Sequence, residues 1–221
     1  MLLPGGASGT AEKAETSGSQ MINPGDNGTI MLAFVFWHWP FPDVGPRRYE
    51  RSLVKFHESL AKAKPEGFCG SFTFRIEGAP WLTDWEHSYQ DVYLLEGSVA
   101  LDRLNAASVG EISGEVHDVV AREAAGGTGG LYQLREGQVD VPRASCGIWL
   151  PKLRSTSYKD FYSQLQPWTE QPGVSLWRRH LVLGPTPEFC LLGPAQLMPP
   201  QLEGVVSTKL DLIWPKPTGR R

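Results

Sequence analysis

The segment from Ile30 to Trp39, IMLAFVFWHW, constrains the fold of this chain more than any other part of its sequence. It is continuous, aromatic and β-branched, and Pro40 and Pro42 follow it. A strand of this composition is apolar on both faces, so both faces must be covered when the chain folds. One sheet with helices on one side would leave the other face in water. The segment therefore predicts a sheet that is covered by helices on one face and by a second sheet on the other.

The rest of the first half predicts the element order β-α-β-β-α-α-β. A helix is expected from Pro46 to about Lys64, because apolar residues recur there at the spacing of one helical face. The strand at residues 68–76 alternates in polarity, which places Phe68 and Phe72 on the same face. Glycines at positions 126, 127, 129 and 130 are expected to end the last helix. The other elements are predicted at residues 30–39, 89–96, 99–107, 113–125 and 131–135.

The second half repeats this order in a shortened form. Strands are predicted at residues 145–150, 173–183, 188–192 and 205–214, and a helix at 155–166. The place of the second helix is taken by PAQLMPPQLEG, whose prolines are incompatible with a helix interior. Because that helix is missing, apolar surface is expected near Leu197 and Leu202.

These patterns predict an α+β fold in which two fused ferredoxin-like β-α-β-β-α-β units pack sheet to sheet as an α+β barrel. The first unit is predicted at residues 29–138 and the second, degraded unit at 143–215. Residues 1–28 are rich in Gly, Ser, Ala and Thr and are predicted to be a flexible tail. Since the duplication supplies both sheets, a monomer or a weak homodimer is expected.

Composition excludes several classes of protein. The net charge is -3 with mixed signs, so a nucleic-acid partner is not expected. No apolar run has the roughly 18–20 residues of a membrane span, and the first residues do not resemble a secretion signal, so a cytoplasmic location is expected. The three cysteines, Cys69, Cys146 and Cys190, are far apart and form no CxxC pair. They predict buried thiols rather than a disulfide framework or a metal site.

A family resemblance begins at the first predicted helix. The stretch YERSLVKFHESLAKAKPEGFCGSFTFRI and the following YQDVYLLEGSVALDRLNAAS resemble the antibiotic-biosynthesis monooxygenase group of the dimeric α+β barrel superfamily. That group has an aromatic-rich helix, then Pro-Gly-Phe-x-Gly, a strand, and Tyr-x-x-Leu-Glu. The motifs are structural, so they imply a fold more directly than an activity. The matching residues here are Pro65, Gly67, Phe68, Gly70, Tyr93, Leu95 and Glu96.

Two histidines are the candidate catalytic residues. His57 lies beside the apolar stripe of the first helix, where it can face the gap between helix and sheet and act as a general base. The alternative for His57 is a half-exposed position on the helix edge. The resemblance implies a haem-ligating role for His117, because haem-degrading members of the superfamily carry such a histidine on the corresponding helix. The alternative for His117 is an ordinary helix-surface position.

Aromatic residues complete the candidate pocket. A pocket is expected in the first half, because the second half lacks the helix that would form one wall. Aromatic area with a few polar groups is typical of ligand sites, although the same mixture also forms a packed core. His38 ends the first strand and points away from its neighbours Trp37 and Trp39. The residues predicted to bind a ligand are Trp37, Phe56, Phe72 and Tyr93.

Three functions are compatible with these features. The first is a small-molecule-binding barrel protein, monooxygenase-like and without a cofactor, that acts on an aromatic or polyketide-like compound; this function is implied by the resemblance. The second is a haem-binding or haem-degrading protein, with haem as the cofactor. The third is a non-catalytic ligand-binding or scaffold protein. The sequence has no GxGxxG, P-loop, GxSxG or CxxC motif, so nucleotide cofactors and covalent catalysis have no support.

Overall fold

The computed structural model describes residues 30–82, 84–181 and 186–216. The predicted tail, residues 1–28, lies outside the described residues. Within them the chain forms eight strands and four α-helices. The first half contains β1 (Met31–Pro40), α1 (Pro46–Ala63), β2 (Phe68–Glu77), β3 (Tyr89–Glu96), α2 (Val99–Ser108), α3 (Gly114–Glu123) and β4 (Ala124–Gly137). The second half contains β5 (Cys146–Leu150), α4 (Tyr158–Thr169), β6 (Ser175–Leu181), β7 (Phe189–Gly193) and β8 (Val206–Trp214).

The eight strands form one closed antiparallel barrel. Their order around it is β1-β3-β2-β8-β5-β7-β6-β4. Within each half the fourth strand lies beside the first, the first beside the third, and the third beside the second. The halves join where β2 pairs with β8 and where β4 pairs with β6. Closure leaves no edge among these strands, which removes the unpaired backbone groups of an open sheet.

The strand β1 is covered on both faces, as its composition predicts. One face lies in the barrel interior, where Trp37 packs against Trp149 of the second half. Trp81 makes edge-on contacts with both of these rings. The other face, with Leu32 and Phe34, packs beneath the helices of the first half. The functional description below concerns this helix-covered face.

The glycine cluster lies inside a strand, so the prediction that it ends the helix was wrong. The helix α3 already ends at Glu123, and β4 includes all four glycines. A Cβ at Gly126 would lie 2.8 Å from the Trp39 ring, and a Cβ at Gly127 would collide with Phe36. The aromatic side chains of β1 cover the backbone of β4, and only glycine allows that approach.

A β-bulge changes the face on which Phe68 lies. The pairing of β2 with β3 shifts register between Phe68 and Gly70. Phe68 consequently packs on the helix-covered face, whereas Phe72 packs in the barrel interior. The prediction that both share one face was wrong, because one extra residue in a strand reverses the side-chain alternation beyond it.

The segment between β7 and β8 contains no helix, as its prolines predict. Leu197 is buried against the core beneath α4, and Leu202 packs at its edge, but the adjacent Met198 is 75% exposed. The apolar surface expected near Leu197 and Leu202 is therefore present at Met198 and not at the two leucines. The expectation of buried thiols holds for Cys190 but fails for Cys69, which is exposed. None of the helices in the described part of the chain combines the length and the apolar character that a membrane span requires.

Candidate functional site

A cavity of about 560 Å³ lies between the helix-covered face of β1 and β3 and the three helices of the first half. Its walls are mostly apolar, and polar groups are concentrated at two places. His38, Tyr49, Asp91 and Tyr93 form one end, which we call the floor, while polar side chains of α2 and α3 line the opposite part. The lining residues are Phe34, Phe36, His38, Tyr49, Leu53, Phe56, Asp91, Tyr93, Leu101, Asp102, Leu104, Asn105, Ser108, His117, Val120, Ala121 and Ala124.

Asp91 on β3 is the centre of the floor and is only 3% exposed. The Thr73 hydroxyl donates a hydrogen bond of 2.8 Å to Oδ1, and the Tyr93 hydroxyl donates one of 2.8 Å to Oδ2. His57 Nε2 lies 3.3 Å from Oδ2, and His38 Nε2 lies 3.4 Å from Oδ1. A buried carboxylate is stable only with such partners, since an unpaired buried charge is strongly unfavourable.

The environment keeps Asp91 ionised. Burial by itself raises the pKa of a carboxyl group. The neighbouring His57 and His38 side chains lower it by charge and by hydrogen bonding, and they outweigh burial, so the pKa of Asp91 lies well below its usual range. The floor therefore contains a fixed negative charge at neutral pH.

His38 and His57 each form a hydrogen bond through the Nδ1 atom, on the side of the ring away from Asp91. His38 Nδ1 lies 2.8 Å from the Tyr49 hydroxyl, and His57 Nδ1 lies 2.8 Å from the Ser71 hydroxyl. The Thr73 hydroxyl also bonds to His57 Nε2. The strand alternation of β2 places Ser71 and Thr73 together beneath α1, which is how this polar network forms between two apolar layers.

Two tyrosine hydroxyls of the floor stay protonated. Burial and the charge of Asp91 raise the pKa of Tyr49. The same two causes, together with the hydrogen bond to Asp91, raise the pKa of Tyr93 well above its ordinary value. Both residues are therefore neutral phenols, and the hydroxyl of each is hydrogen-bonded within the floor, Tyr93 to Asp91 and Tyr49 to His38.

The structure divides the predicted site residues into three groups. Phe56, Tyr93 and His117 line the cavity. His57 is completely buried beneath it, so it is not the half-exposed histidine of the alternative interpretation. Trp37 and Phe72 lie on the opposite face of the sheet, in the barrel interior.

His117 occupies the α3 wall, away from the Asp91 network. Its side chain is 36% exposed. Its Nδ1 atom is buried and makes no hydrogen bond to a described residue, although Asp118 Oδ1 lies 3.7 Å away. His38 Nε2, on the other side of the lining, is also buried without a hydrogen bond to a described residue, although Asp91 Oδ1 lies 3.4 Å away.

Sequence reasoning missed Asp91, Thr73 and Tyr49. The available signal was the placement of polar residues within strands that are otherwise apolar, since Asp91 interrupts the run from Tyr89 to Leu95. Spacing alone could not show that residues from β1, β2, β3 and α1 meet at one point.

The equivalent face of the second half contains no such network among its described residues. On β7 the helix-facing residues are Phe189 and Leu191, and they pack against Phe161 and Leu165 of α4. This layer is a cluster of apolar side chains, whereas the layer of the first half has a cavity and a buried carboxylate. The fold therefore does not require polar groups at this position.

Comparison with known proteins supports the fold. No protein-family model and no curated protein matches the chain. A candidate monooxygenase from Fusobacterium nucleatum subsp. nucleatum superposes with a TM-score of 0.56 at 11% identity, covering 84% of this chain and 93% of that one. A second, from Lactobacillus acidophilus NCFM, superposes with a TM-score of 0.53 at 10% identity, covering 83% and 94%. At such low identity the likeness shows the α+β barrel fold alone.

The lining of the cavity does not suit haem. His117 Nδ1 is a possible iron ligand, because it is buried without a hydrogen-bond partner. Haem also carries two carboxylates, and these need cationic or donor partners when they are buried. None of the described lining residues is Lys or Arg, and two of them, Asp91 and Asp102, are themselves acidic.

Proposed function

We propose that this chain is a small-molecule-binding α+β barrel protein, monooxygenase-like and without a cofactor, that acts on an aromatic or polyketide-like compound. The observation that carries the proposal is the apolar cavity of about 560 Å³ with the His38–Asp91 pair in its floor. This combination of aromatic walls and a few convergent polar groups is typical of ligand sites. The fold shared with two candidate monooxygenases is consistent with it.

The energetics of the floor support a functional role. Well-packed apolar residues in place of a buried charged network are often neutral or even stabilising. In the second half of this chain the corresponding sheet face is apolar and includes Phe189 and Leu191. The first half retains Asp91 and two histidines at a position where stability alone does not need them. Perturbed, buried titratable groups beside a cavity are characteristic of functional sites.

The proposed chemistry begins with removal of a proton. A substrate with an acidic C–H bond transfers that proton to the Tyr49 oxygen while the Tyr49 hydroxyl passes its own proton to His38 Nδ1, 2.8 Å away. Asp91 stabilises the resulting imidazolium of His38. The substrate carbanion then reduces O₂. One oxygen atom enters the substrate and the other leaves as water, so that a methylene group becomes a carbonyl and the substrate supplies all four electrons. The mostly apolar walls reduce the contact of the carbanion with water.

The test is oxygen uptake with anthrone, a neutral tricyclic compound that has an acidic methylene group and whose enol tautomer carries a hydroxyl group. The parent protein is expected to consume O₂ and to form anthraquinone, and His38→Gln is expected to be slower by about 100-fold, the usual contribution of a general base. Tyr132→Phe, which removes a buried hydroxyl that bonds to Thr186 away from the cavity, serves as the matched control. Anthrone that binds without oxygen uptake would leave a non-catalytic ligand-binding protein.

Haem binding is the second candidate, and the unpartnered His117 Nδ1 is the observation in its favour. The absence of cationic residues from the described lining opposes it. Hemin titration separates the two functions. A Soret band that His117→Ala abolishes would establish haem binding, and no spectral change with the parent protein would exclude it.

We also propose that the barrel arose from two fused ferredoxin-like units, residues 29–138 and 143–215, of which the second is degraded. The identical strand order of the two halves supports this origin. Since one chain closes the barrel, a monomer or a weak homodimer is expected. Sedimentation that shows a tight, obligate dimer would contradict this expectation.

A further inference from the structure

The hydrogen bonds around Asp91 determine where the protons of the floor point. A hydroxyl group has one proton to donate. Thr73 donates its proton to the Asp91 carboxylate, so in its contact with His57 Nε2 the Thr73 oxygen accepts. His57 therefore carries a proton on Nε2. Tyr93 likewise donates its single proton to Asp91, which leaves only acceptor capacity on the Tyr93 oxygen.

The second histidine is ordered in the same way. His38 Nδ1 is the hydrogen-bond partner of the Tyr49 hydroxyl among the described residues. If Tyr49 donates its proton to Nδ1, the His38 proton is on Nε2, where it faces Asp91 Oδ1 at 3.4 Å. The opposite arrangement would place the Nε2 lone pair against a carboxylate, which is electrostatically unfavourable. The protons of Tyr49 and His38 therefore also point into the network.

The floor consequently offers acceptors and no donors to a ligand. The remaining lone pairs belong to Asp91, Tyr93 and Tyr49, all of which line the cavity. A ligand group placed against them must bring its own proton, because an acceptor there would leave two sets of lone pairs facing each other without a hydrogen.

The charges around the cavity also favour an uncharged ligand over an anionic one. Asp91 and Asp102 are the carboxylates of the described lining, which includes no Lys or Arg. Nearby guanidinium groups already have acidic partners outside the cavity, as Arg48 does with Glu123 and Arg103 with Glu66. An anionic ligand would therefore lose its hydration, would find no Lys or Arg in the described lining, and would lie beside the Asp91 carboxylate.

We infer that the cavity takes an uncharged aromatic ligand that carries a hydroxyl or N–H group at its inner end, and that it rejects aromatic carboxylates. Asp91 and Tyr93 accept the hydrogen bond that this group donates. His57 is a positioning residue, because it contacts Asp91 from beneath the cavity. The inference rests on the ligand-binding part of the proposed function and is independent of oxygen chemistry.

Three naphthalene probes of the same ring size test the inference by calorimetric titration of the full chain at pH 7. The parent protein is expected to bind 2-naphthol about tenfold or more tightly than 2-methoxynaphthalene, since the ether cannot donate a hydrogen bond. It is expected not to bind 2-naphthoate. Equal affinity for the ether, measurable binding of the carboxylate, or no binding of any probe would each overturn the inference.

Substitutions identify the acceptors. Asp91→Asn introduces an N–H donor and is expected to reduce the preference for 2-naphthol over the ether to less than about threefold. Tyr132→Phe, in the barrel interior, is expected to leave the preference unchanged and controls for loss of a buried hydroxyl. If the preference survives Asp91→Asn, the acceptor assignment is wrong. A parent protein that prefers 2-naphthol but consumes no O₂ with anthrone would contradict the proposed oxygenation and leave the ligand class intact.

Long-range ¹H–¹⁵N spectra of the ligand-free protein test the proton order directly. His38 and His57 are both expected to carry a proton on Nε2. Tyr49→Phe is expected to shift the His38 Nδ1 resonance without moving those of His57, because His38 is the hydrogen-bond partner of the Tyr49 hydroxyl among the described residues. An unprotonated Nε2 in either ring would overturn the inference, whatever the binding results.

Discussion

His57 Nε2 lies 3.3 Å from Asp91 Oδ2, and both side chains are buried between α1 and the sheet. The contact joins a helix to the third strand through a layer that is otherwise apolar. Thr73 bonds to both members of the pair and so holds their relative position. The stability of the first half is therefore coupled to the geometry of its cavity floor.

Asp91→Asn is expected to lower the free energy of unfolding by about 3–5 kcal/mol, the usual consequence of removing one member of a buried ionic network. Urea unfolding at pH 7 measures it. Glu50→Gln is the matched control, because it removes the Arg75 ion pair at a partly exposed site, where a loss of only about 0–1 kcal/mol is expected. Equal effects of the two substitutions would show that the network contributes little to stability.

The two candidate histidines are expected to differ in their effect on stability. His57→Ala leaves Asp91 without one partner and should destabilise the protein by about 2 kcal/mol or more. His117→Ala alters a partly exposed wall and should change stability by no more than about 0.5 kcal/mol. Thermal and urea unfolding of both variants check the difference. A large loss for His117→Ala would mean that α3 depends on this side chain for its packing.

Leucine-to-alanine substitutions are expected to cost less stability at the cavity of the first half than in the apolar layer of the second half. Leu104→Ala at the cavity wall is expected to cost about 2 kcal/mol, since Leu104 already lacks neighbours on its cavity side. Leu165→Ala in the packed layer beneath α4 should cost about 3–5 kcal/mol, because it creates a new void. Unfolding free energies of the two variants provide the comparison. The reverse order would mean that the cavity collapses around Leu104 in solution.

Stability is expected to fall in alkaline solution. Burial raises the pKa of Tyr132 to about 12, and it also raises the pKa of Tyr49 and Tyr93. Above pH 10 the unfolded chain releases phenolic protons that the folded protein keeps, so unfolding becomes easier as pH rises. For Tyr132 the loss at pH 11 is about 1.4 kcal/mol. Urea unfolding at pH 9 and pH 11 measures the fall, and Tyr132→Phe should reduce it by that amount. An unfolding free energy that is constant over this range would contradict the burial of these phenols.

The sequence by itself predicted most of the elements and the need to cover both faces of β1. The apolar run of β1 requires burial on both faces, and the structure shows helices on one face and the barrel interior on the other. The apolar stripe of α1 predicted a helix, and the structure has one. The prolines after residue 193 predicted that no helix forms there, and none does between β7 and β8. These features are local because periodicity and backbone chemistry act over neighbouring residues.

Tertiary structure decided the positions that local patterns could not. The bulge between Phe68 and Gly70 places Phe68 on the helix-covered face. The glycine cluster belongs to β4, where the aromatic rings of β1 pack directly on its backbone. The candidate site was equally non-local: Phe56, Tyr93 and His117 share the cavity, but Trp37 and Phe72 lie behind the sheet. Asp91 gains its significance only from His38 and His57, which come from other elements. Such a network depends on strand register and helix docking, and these are set by the packing of the whole barrel rather than by the spacing of residues along the chain.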